Sequence, residues 1–219
     1  MENEPDNSPH LLPIEKNSEA KKNTVLTNII KMLTERKILD HNNLTKNITF
    51  ATSIKSDDLI YKIPIDMENV HKHYIVKFIH QKITSISKSS GIADFLNQYK
   101  NSPKIVVVST ISTKLLYGIK NDTNYLNTEI FLEKELMINL IDHIAVPKHI
   151  LLSEEEKLKV LESYNAKRRE IPEVYVTDPV SRYYNVKIGQ LFRIIRPSET
   201  AGYVPTYRLV IPGNVLEGS

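Results

Sequence analysis

The stretch that decides the fold is Arg193-Ile-Ile-Arg-Pro-Ser-Glu-Thr-Ala-Gly-Tyr-Val-Pro-Thr-Tyr-Arg-Leu-Val-Ile211. β-Branched and aromatic residues over 191–195, and again over 207–211, predict two strands. Between them, Pro197 fixes its own φ, and Gly202 can take a positive φ that other residues resist. We therefore predict a β-hairpin, in which a turn joins two strands.

Two arginines flank this turn: Arg196 precedes it and Arg208 follows it. Each guanidinium is a planar set of donors that suits a carboxylate. With Asp178, Arg182 and Glu199, these arginines make up the most suggestive charged group in the chain. Two interpretations stay open. The group forms internal salt bridges that hold the hairpin on a short helix, or it forms a surface that binds another protein, and both can hold together.

Further motifs lie upstream of the hairpin. In chain order they are Glu135-Leu-Met-Ile-Asn-Leu140 with Asp142-His143, Val146-Pro-Lys-His149 with Leu152-Ser-Glu-Glu-Glu156, Asp178-Pro-Val-Ser-Arg-Tyr-Tyr184, and Lys187-Ile-Gly-Gln190. With Arg196-Pro-Ser-Glu-Thr-Ala-Gly202 and Tyr207-Arg-Leu-Val210, these blocks resemble the C-terminal part of one RNA polymerase subunit family, which comprises subunit 5 of eukaryotes and its archaeal counterpart. The resemblance covers residues 135–211, whereas residues 24–134 resemble the eukaryotic N-terminal domain in layout only.

This resemblance implies a non-catalytic subunit of a multisubunit DNA-directed RNA polymerase, with no cofactor or metal of its own. The C-terminal domain would anchor the chain to the largest subunit and to other polymerase subunits. The interface residues that it implies are Pro147, His149, Asp178, Pro179, Arg182, Tyr183, Arg196, Pro197, Ser198, Glu199, Thr200, Gly202, Tyr207 and Arg208. Tyr203 and Pro205 depart from the family pattern, so the contact there is expected to differ.

The resemblance also implies that the N-terminal domain forms part of the lower jaw near downstream duplex DNA. A loop after the apolar run 105–108 would lie closest to the DNA. Its expected DNA-proximal residues are Thr110, Ser112, Thr113 and Lys114. Such contacts would involve phosphates rather than bases, so salt should weaken them.

The chain divides by pattern into two domains with a tail at each end. Residues 1–21 are polar and contain prolines, and we expect a disordered tail there. Residues 22–143 should form an α/β jaw domain, because strands alternate with helices and predict a mixed sheet flanked by helices. Residues 144–211 should form a small α+β assembly domain that ends in the hairpin, followed by a tail over 212–219. The overall fold class is therefore predicted to be α+β.

Periodicity and capping predict the individual elements. Helices are expected over 24–39, 87–100 and 112–119, strands over 59–63, 74–79, 105–108, 130–132 and 174–176, and a loop over 145–149. Ser153 and Glu156 form a capping box that should start a helix ending near Tyr164. Asp178 before Pro179 should start a one-turn helix. A proline at position 205 cannot donate to a strand ladder and should face a sheet edge or a bulge.

Composition excludes several function classes. The 219 residues are 41% hydrophobic, and a net charge of +3 gives no strongly basic field of the kind that a free-standing DNA binder shows. The chain has no cysteine, so it has no disulfide framework and no thiolate metal site. It also has no phosphate-binding glycine loop and no HExxH motif. No apolar run approaches the roughly 18 residues that span a bilayer, so we expect no membrane partner.

Two other function classes stay open. Asp57 and Asp58 beside a strand could bind Mg²⁺ in a nuclease-like DNA-processing enzyme. A stand-alone nucleic-acid adaptor would have to bind DNA tightly despite the small net charge. His71 and His73, with His80 nearby, could begin a zinc site, but a solvated strand entry is the favoured explanation of these histidines.

The source bears on where the protein would work. The archaeal form of the family lacks the jaw domain, so its presence here points to a eukaryote or a large DNA virus. The divergent N-terminal half and the many Asn, Ile and Lys residues favour a virus. We therefore expect the virion and host cytoplasm, or the nucleus if the source is a eukaryote.

Overall fold

The computed structural model describes residues 17–54, 59–65, 73–83, 92–112, 125, 127–165, 170–198 and 200–213. Two four-stranded sheets organise these residues, one in each half of the chain. Helices pack against both sheets. The predicted α+β class is therefore confirmed.

The first sheet contains β1 (Ile60–Pro64), β2 (His73–Ile83), β3 (Lys104–Ile111) and β4 (Thr128–Leu132), and its strands lie in chain order. β1 is antiparallel to β2, whereas β3 is parallel to both β2 and β4. The mixed and partly parallel sheet is as predicted. β3 is buried along residues 104–108 because it is a central strand covered on both faces.

Both faces of the first sheet are packed against helices. The helices of this half are α1 (Ser18–Glu35), α2 (Leu44–Ser53) and α3 (Ile92–Gln98). Ile29 of α1 and Ala51 of α2 share a buried cluster with Val76 on one face of the sheet. Phe95 of α3 packs with Ile79 on the other face. The side chains of β2 therefore alternate between two separate cores.

α1 begins at Ser18 and ends at Glu35, so both of its ends come earlier than those of the helix predicted over 24–39. The Asn17 side chain accepts a hydrogen bond of 2.7 Å from the Ala20 N–H and caps the helix. Residues 18–21, predicted to belong to the disordered tail, therefore form the first turn of α1. The helix ends where Lys37 takes a positive φ of 59° and the Ile38 N–H donates to the Leu33 carbonyl at 3.0 Å.

Other element boundaries also differ from the predictions. α2 was not predicted, and no side chain caps its first turn to mark where it begins. The predicted helix over 87–100 is helical from 92 to 98, and residues 84–91 lie outside the described residues. Ser112 is not helical, and the rest of the predicted helix over 112–119 also lies outside them.

Lys104 is fully buried at the start of β3. Its Nζ donates to the carbonyl oxygens of Tyr99, Ser102 and Lys100 at 2.9, 3.1 and 3.4 Å. Burial lowers the pKa of this ammonium group. The three carbonyls belong to the segment that follows α3, so this lysine attaches the end of α3 to the sheet.

The second sheet has the strand order β5-β7-β8-β6. Its strands are β5 (Lys148–Leu151), β6 (Glu173–Tyr175), β7 (Leu191–Ser198) and β8 (Gly202–Ile211), and its helices are α4 (Glu154–Ser163) and α5 (Pro179–Tyr183). β7 is antiparallel to β5 and β8, and β6 is parallel to β8. β7 and β8 form the predicted hairpin. β5 begins within the loop that we expected over 145–149, because this segment becomes a strand by pairing with β7, more than forty residues later in the chain.

Both predicted helix starts in this half are confirmed. Ser153 Oγ accepts from the Glu156 N–H at 3.2 Å, and the Glu156 carboxylate accepts from the Ser153 N–H at 2.9 Å. The Asp178 carboxylate accepts from the Val180 N–H at 2.9 Å, with Pro179 at the first position of α5. These caps satisfy N–H groups that the first turn of a helix leaves without partners.

The hairpin strands are longer than predicted and include Pro205, which pairs with Ile195. The Leu209 N–H donates to the Pro172 carbonyl at 2.8 Å, on the side of β8 that faces away from β7. Because this direction alternates along a strand, the backbone nitrogen of Pro205 also points away from β7. β6 pairs only with residues 209–211, so no described strand lies beside β8 at Pro205. The prediction that this proline faces an edge is confirmed.

Candidate subunit interface

Strand register places three of the predicted interface residues on one face of the second sheet. His149 on β5 is paired with Ile194 on β7, which is paired with Thr206 on β8. Arg196 lies two residues after Ile194 on β7, and Arg208 lies two residues after Thr206 on β8. Because these strands are antiparallel, the two arginines lie on opposite sides of the row. Side chains two residues apart on a strand project from the same face. We call this surface, defined by His149, Arg196 and Arg208, the arginine face.

His149 lies between the two arginines and is half buried. Its Nδ1 lies 2.7 Å from the Pro147 carbonyl oxygen, and since a carbonyl only accepts, Nδ1 donates. The ring meets Phe192 edge-on, with ring centroids 5.4 Å apart. Burial lowers the pKa of the imidazole, and the positive charges of Arg196 and Arg208 act in the same direction. His149 therefore holds the loop before β5 through its ring N–H, and its lowered pKa favours the uncharged imidazole.

The two arginines form no ion pair within the described part of the chain. Arg196 is exposed, and Arg208 donates from Nη1 to the Glu173 carbonyl oxygen at 3.4 Å. Asp178 uses its carboxylate to cap α5. The interpretation as an internal set of salt bridges is therefore not supported by the described residues, and Glu199 lies outside them.

Arg182 and Tyr183 of α5 point toward the N-terminal half instead. Arg182 makes two hydrogen bonds with the Glu135 carboxylate, at 2.6 and 3.1 Å, and stacks over the Phe131 ring at 4.9 Å. Tyr183 is 5% exposed and donates its hydroxyl to Asn139 Oδ1 at 3.0 Å. Burial raises the pKa of this hydroxyl. We assign both residues to packing between the two halves.

A buried cluster that the sequence did not predict also joins the halves. Arg36, just after α1, makes two hydrogen bonds of 2.8 Å with the Glu129 carboxylate of β4. Its Nε also donates to the Tyr183 carbonyl at 2.6 Å. The Tyr74 hydroxyl and Asn185 Nδ2 donate to the same carboxylate at 2.7 and 3.3 Å. The sequence feature that could have pointed to this cluster is that Arg36 is the one arginine before residue 168.

Of the remaining predicted interface residues, Pro179 begins α5, Tyr207 lies on the opposite face of the sheet, and the others lie near the turn. Gly202 has the expected positive φ, 71°, and Ser198 Oγ accepts from the Ala201 N–H at 3.4 Å. Tyr207 projects from the face opposite the arginines, where its ring lies 5.7 Å from that of Tyr164. The exposed members of this group are Pro179, Pro197, Thr200 and Gly202.

The predicted DNA-proximal and metal-binding residues are only partly described. Thr110 is exposed and Ser112 is half buried at the end of β3, whereas Thr113 and Lys114 lie outside the described residues. Asp57, Asp58 and His71 also lie outside them. Within the described ranges, no three His, Cys, Asp or Glu side chains gather where they could hold a metal ion. No described helix is long and apolar enough to cross a membrane.

Ser181 offers a direct test of the packing of α5. Its side chain is 1% exposed, and its hydroxyl has no hydrogen-bond partner among the described residues. Because a buried polar group without a partner costs about 1–3 kcal/mol, Ser181→Ala should raise the free energy of unfolding in urea by about 1 kcal/mol. Ser153→Ala is the matched control and should lower it by about 1 kcal/mol, since that hydroxyl caps α4. Destabilisation by Ser181→Ala would contradict this assignment.

Comparison with known proteins relates this chain to subunits of RNA polymerases. The family model for RNA polymerase Rpb5, C-terminal domain, matches residues 138–210. DNA-directed RNA polymerase subunit 5 of Acanthamoeba polyphaga mimivirus is 34% identical over 206 residues, which are 92% of this chain and 97% of that relative. Subunit RPABC1 of DNA-directed RNA polymerases I, II and III from Caenorhabditis elegans is 48% identical over 127 residues, 58% of this chain and 60% of that relative.

The two matches extend over different shares of the chain. The nematode relative matches little more than half of it, whereas the mimivirus relative matches nearly all of it. The similarity to the mimivirus subunit therefore includes the N-terminal half, for which the sequence motifs offered only a similarity of layout. The expected family is confirmed, and with it the expectation of a non-catalytic subunit: the chain belongs to the RNA polymerase subunit 5 family.

Proposed function

We propose that this chain anchors to the largest subunit of a DNA-directed RNA polymerase through residues 144–211 and forms part of the lower jaw near downstream DNA. The observation that carries the proposal is the family match over residues 138–210, because those residues contain the second sheet and the arginine face. Two arginines with no carboxylate partner in the described chain suit an acidic partner. Membership of a family of non-catalytic subunits favours this function over a nuclease-like enzyme.

The link between the two halves supports a jaw role for the N-terminal half. The Arg36–Glu129 pair is buried, and Tyr183 packs in the same cluster as the residues of α1. A part that guides DNA must keep its position relative to the anchor, and a buried network holds that position better than a flexible linker would. DNA would meet the end of β3 near Thr110, through phosphate contacts that salt weakens.

Affinity purification tests the proposed function. A tagged full-length chain, produced together with its own polymerase, should co-purify with the two large polymerase subunits. Mass spectrometry of the purified material identifies them. If the large subunits are absent, the proposed function is wrong.

Replacing both Arg196 and Arg208 by Ala should lower incorporation into the polymerase at least about tenfold, because truncating an arginine at an interface centre commonly costs more than 1 kcal/mol. The readout is the ratio of this chain to the largest subunit after purification. The control is Lys134→Ala with Lys159→Ala, which removes the same charge from two other exposed positions. Equal incorporation of the two double variants would reject the arginine face as an anchor.

We further propose that the chain is located with its polymerase. The similarity to a mimivirus subunit supports a viral source, and then the virion and the host cytoplasm are the expected sites. The nucleus is the alternative for a eukaryotic source. Immunofluorescence of infected cells distinguishes these locations.

A further inference from the structure

The outer half of the β7–β8 hairpin extends beyond the strands on either side of it. β5 pairs with β7 only as far as Ile195, and β6 pairs with β8 only from Leu209 onward. We call the described residues 196–198 and 200–206 the hairpin arm. Among the described residues, no other strand lies beside the arm on either edge.

Strand register gives the arm two chemically different faces. Pro197 pairs with Tyr203, and Pro205 lies two residues farther along β8, so these three side chains project from one face. Arg196 pairs with Val204 on the other face, which continues the arginine face. The first face is therefore apolar, and the second combines a positive charge with an apolar side chain.

These side chains are exposed although they are of the kinds that proteins usually bury or pair. Tyr203 is 74% exposed and Val204 is 38% exposed, and Pro197 and Pro205 are exposed beside them. Tyrosine and arginine are among the residues most enriched where binding energy is concentrated at protein interfaces. Because paired strands and prolines already restrict the arm, a partner would immobilise little that is flexible.

Both edges of the arm resist the addition of a further strand. The backbone nitrogen of Pro205 points to the free edge of β8 and carries no hydrogen. The Leu191 carbonyl accepts from the Leu152 N–H on the β5 side, and alternation places the backbone nitrogen of Pro197 on that same side. Each edge therefore presents a proline where an added strand would need a donor. A partner must contact the arm through its two side-chain faces.

We propose that the hairpin arm inserts into a cleft of the largest polymerase subunit. One wall of the cleft presents apolar side chains to Tyr203, Pro197 and Pro205. The opposite wall presents a carboxylate to Arg196, which has no anionic partner among the described residues. This inference rests on the proposed function, and it adds that Tyr203 is a main contact and that the arm binds between two surfaces.

The test measures how tightly the full-length chain binds its polymerase assembled from the other subunits. Tyr203→Ser and Arg196→Glu should each weaken binding at least about tenfold, as expected of a central interface residue. The Arg196→Glu variant should also show a smaller loss of binding on addition of salt, because the contact that it removes is electrostatic. Both variants should keep the wild-type melting temperature, since the altered side chains are exposed.

Matched controls separate the arm from the rest of the second sheet. Tyr175→Ser alters an exposed tyrosine on β6, and Lys159→Glu reverses an exposed charge on α4. Each control should bind within about twofold of the wild type, the usual range for a surface change away from a contact. If Tyr203→Ser and Arg196→Glu bind as well as these controls, the inference is wrong and the proposed function stands. If the wild-type chain itself fails to bind, both are wrong.

Pro205→Val tests whether the edge of the arm takes part. This substitution keeps an apolar side chain and restores an N–H group on the free edge of β8. Binding through the two faces predicts an affinity within about twofold of the wild type. A gain of about tenfold or more would instead indicate strand addition and would overturn the inference.

Discussion

Replacing Arg36 by Met should lower the free energy of unfolding by about 3–5 kcal/mol, the cost typical of leaving a buried charge without its partner. The side chains of Arg36 and Glu129 are 4% and 14% exposed, so little water reaches the carboxylate to replace the lost guanidinium. The substitution also leaves the Tyr183 carbonyl without the donor that now lies 2.6 Å away. This is the largest effect that we expect from a single polar substitution.

Urea denaturation followed by circular dichroism measures this effect. Adding Glu129→Gln to the Arg36→Met variant should recover at least about 1 kcal/mol, because the second change removes the unpaired charge. Lys31→Met is the matched control. Lys31 pairs with Asp142 at 3.4 Å, but these side chains are 38% and 60% exposed, and such solvent-accessible pairs contribute less than about 1 kcal/mol. Additive losses in the double variant would contradict the buried pair.

Phe192→Ala should lower the free energy of unfolding by about 3–5 kcal/mol, because it removes a large side chain from the centre of the second sheet and leaves a cavity. Phe192 is 1% exposed and packs edge-on against His149 and Tyr184, with centroids 5.4 and 5.8 Å apart. Urea denaturation again measures the loss. Phe192→Leu is the control and should cost clearly less, since most of the volume remains.

Phe192→Ala should also change the pKa of the Tyr184 hydroxyl. Burial raises the pKa of this hydroxyl to about 12 from an ordinary value of 10.0. A folded-state pKa above the unfolded one stabilises the fold below the unfolded pKa, and this contribution is lost as the pH rises through the folded pKa. Stability should therefore fall between about pH 10 and 12. In Phe192→Ala, water enters beside Tyr184, so its pKa should move back toward 10.0. An unchanged tyrosine titration would contradict the role of this packing.

Local patterns predicted those parts of the fold that depend on neighbours in the chain. Ser153 with Glu156, and Asp178 with Pro179, specify helix starts because a cap and the N–H groups that it satisfies lie within three residues. Gly202 likewise has the backbone conformation that the turn requires. These interactions form without tertiary contacts, so a sequence pattern suffices to predict them.

Boundaries that depend on distant partners were missed. β5 is four residues long and is a strand because β7 lies beside it, so its own sequence did not distinguish it from a loop. α2 packs into the core that α1 shares with the first sheet, and no side chain caps its first turn to mark its start in the sequence. The early start of α1 was missed because its first turn is mostly exposed and polar.

The candidate interface also combines features that local motifs predict with features that depend on distant partners. Sequence motifs picked out Arg196, Arg208 and His149, and strand register placed all three on one face. The motifs also picked out Arg182, but they could not show that its carboxylate partner is Glu135 rather than Asp178. That choice depends on how α5 packs against the N-terminal half.

The sequence alone therefore determined the family, the α+β class, the hairpin and the identities of the two framing arginines. Those features follow from ordered motifs, hydrophobic periodicity and turn chemistry, which are local properties of the chain. Only the tertiary structure decided that Arg36 joins Glu129 across 93 positions, that Tyr183 is interior, and that the hairpin arm has one apolar and one basic face. These features depend on strand register and on buried charge pairing, and both are settled only when distant segments pack together.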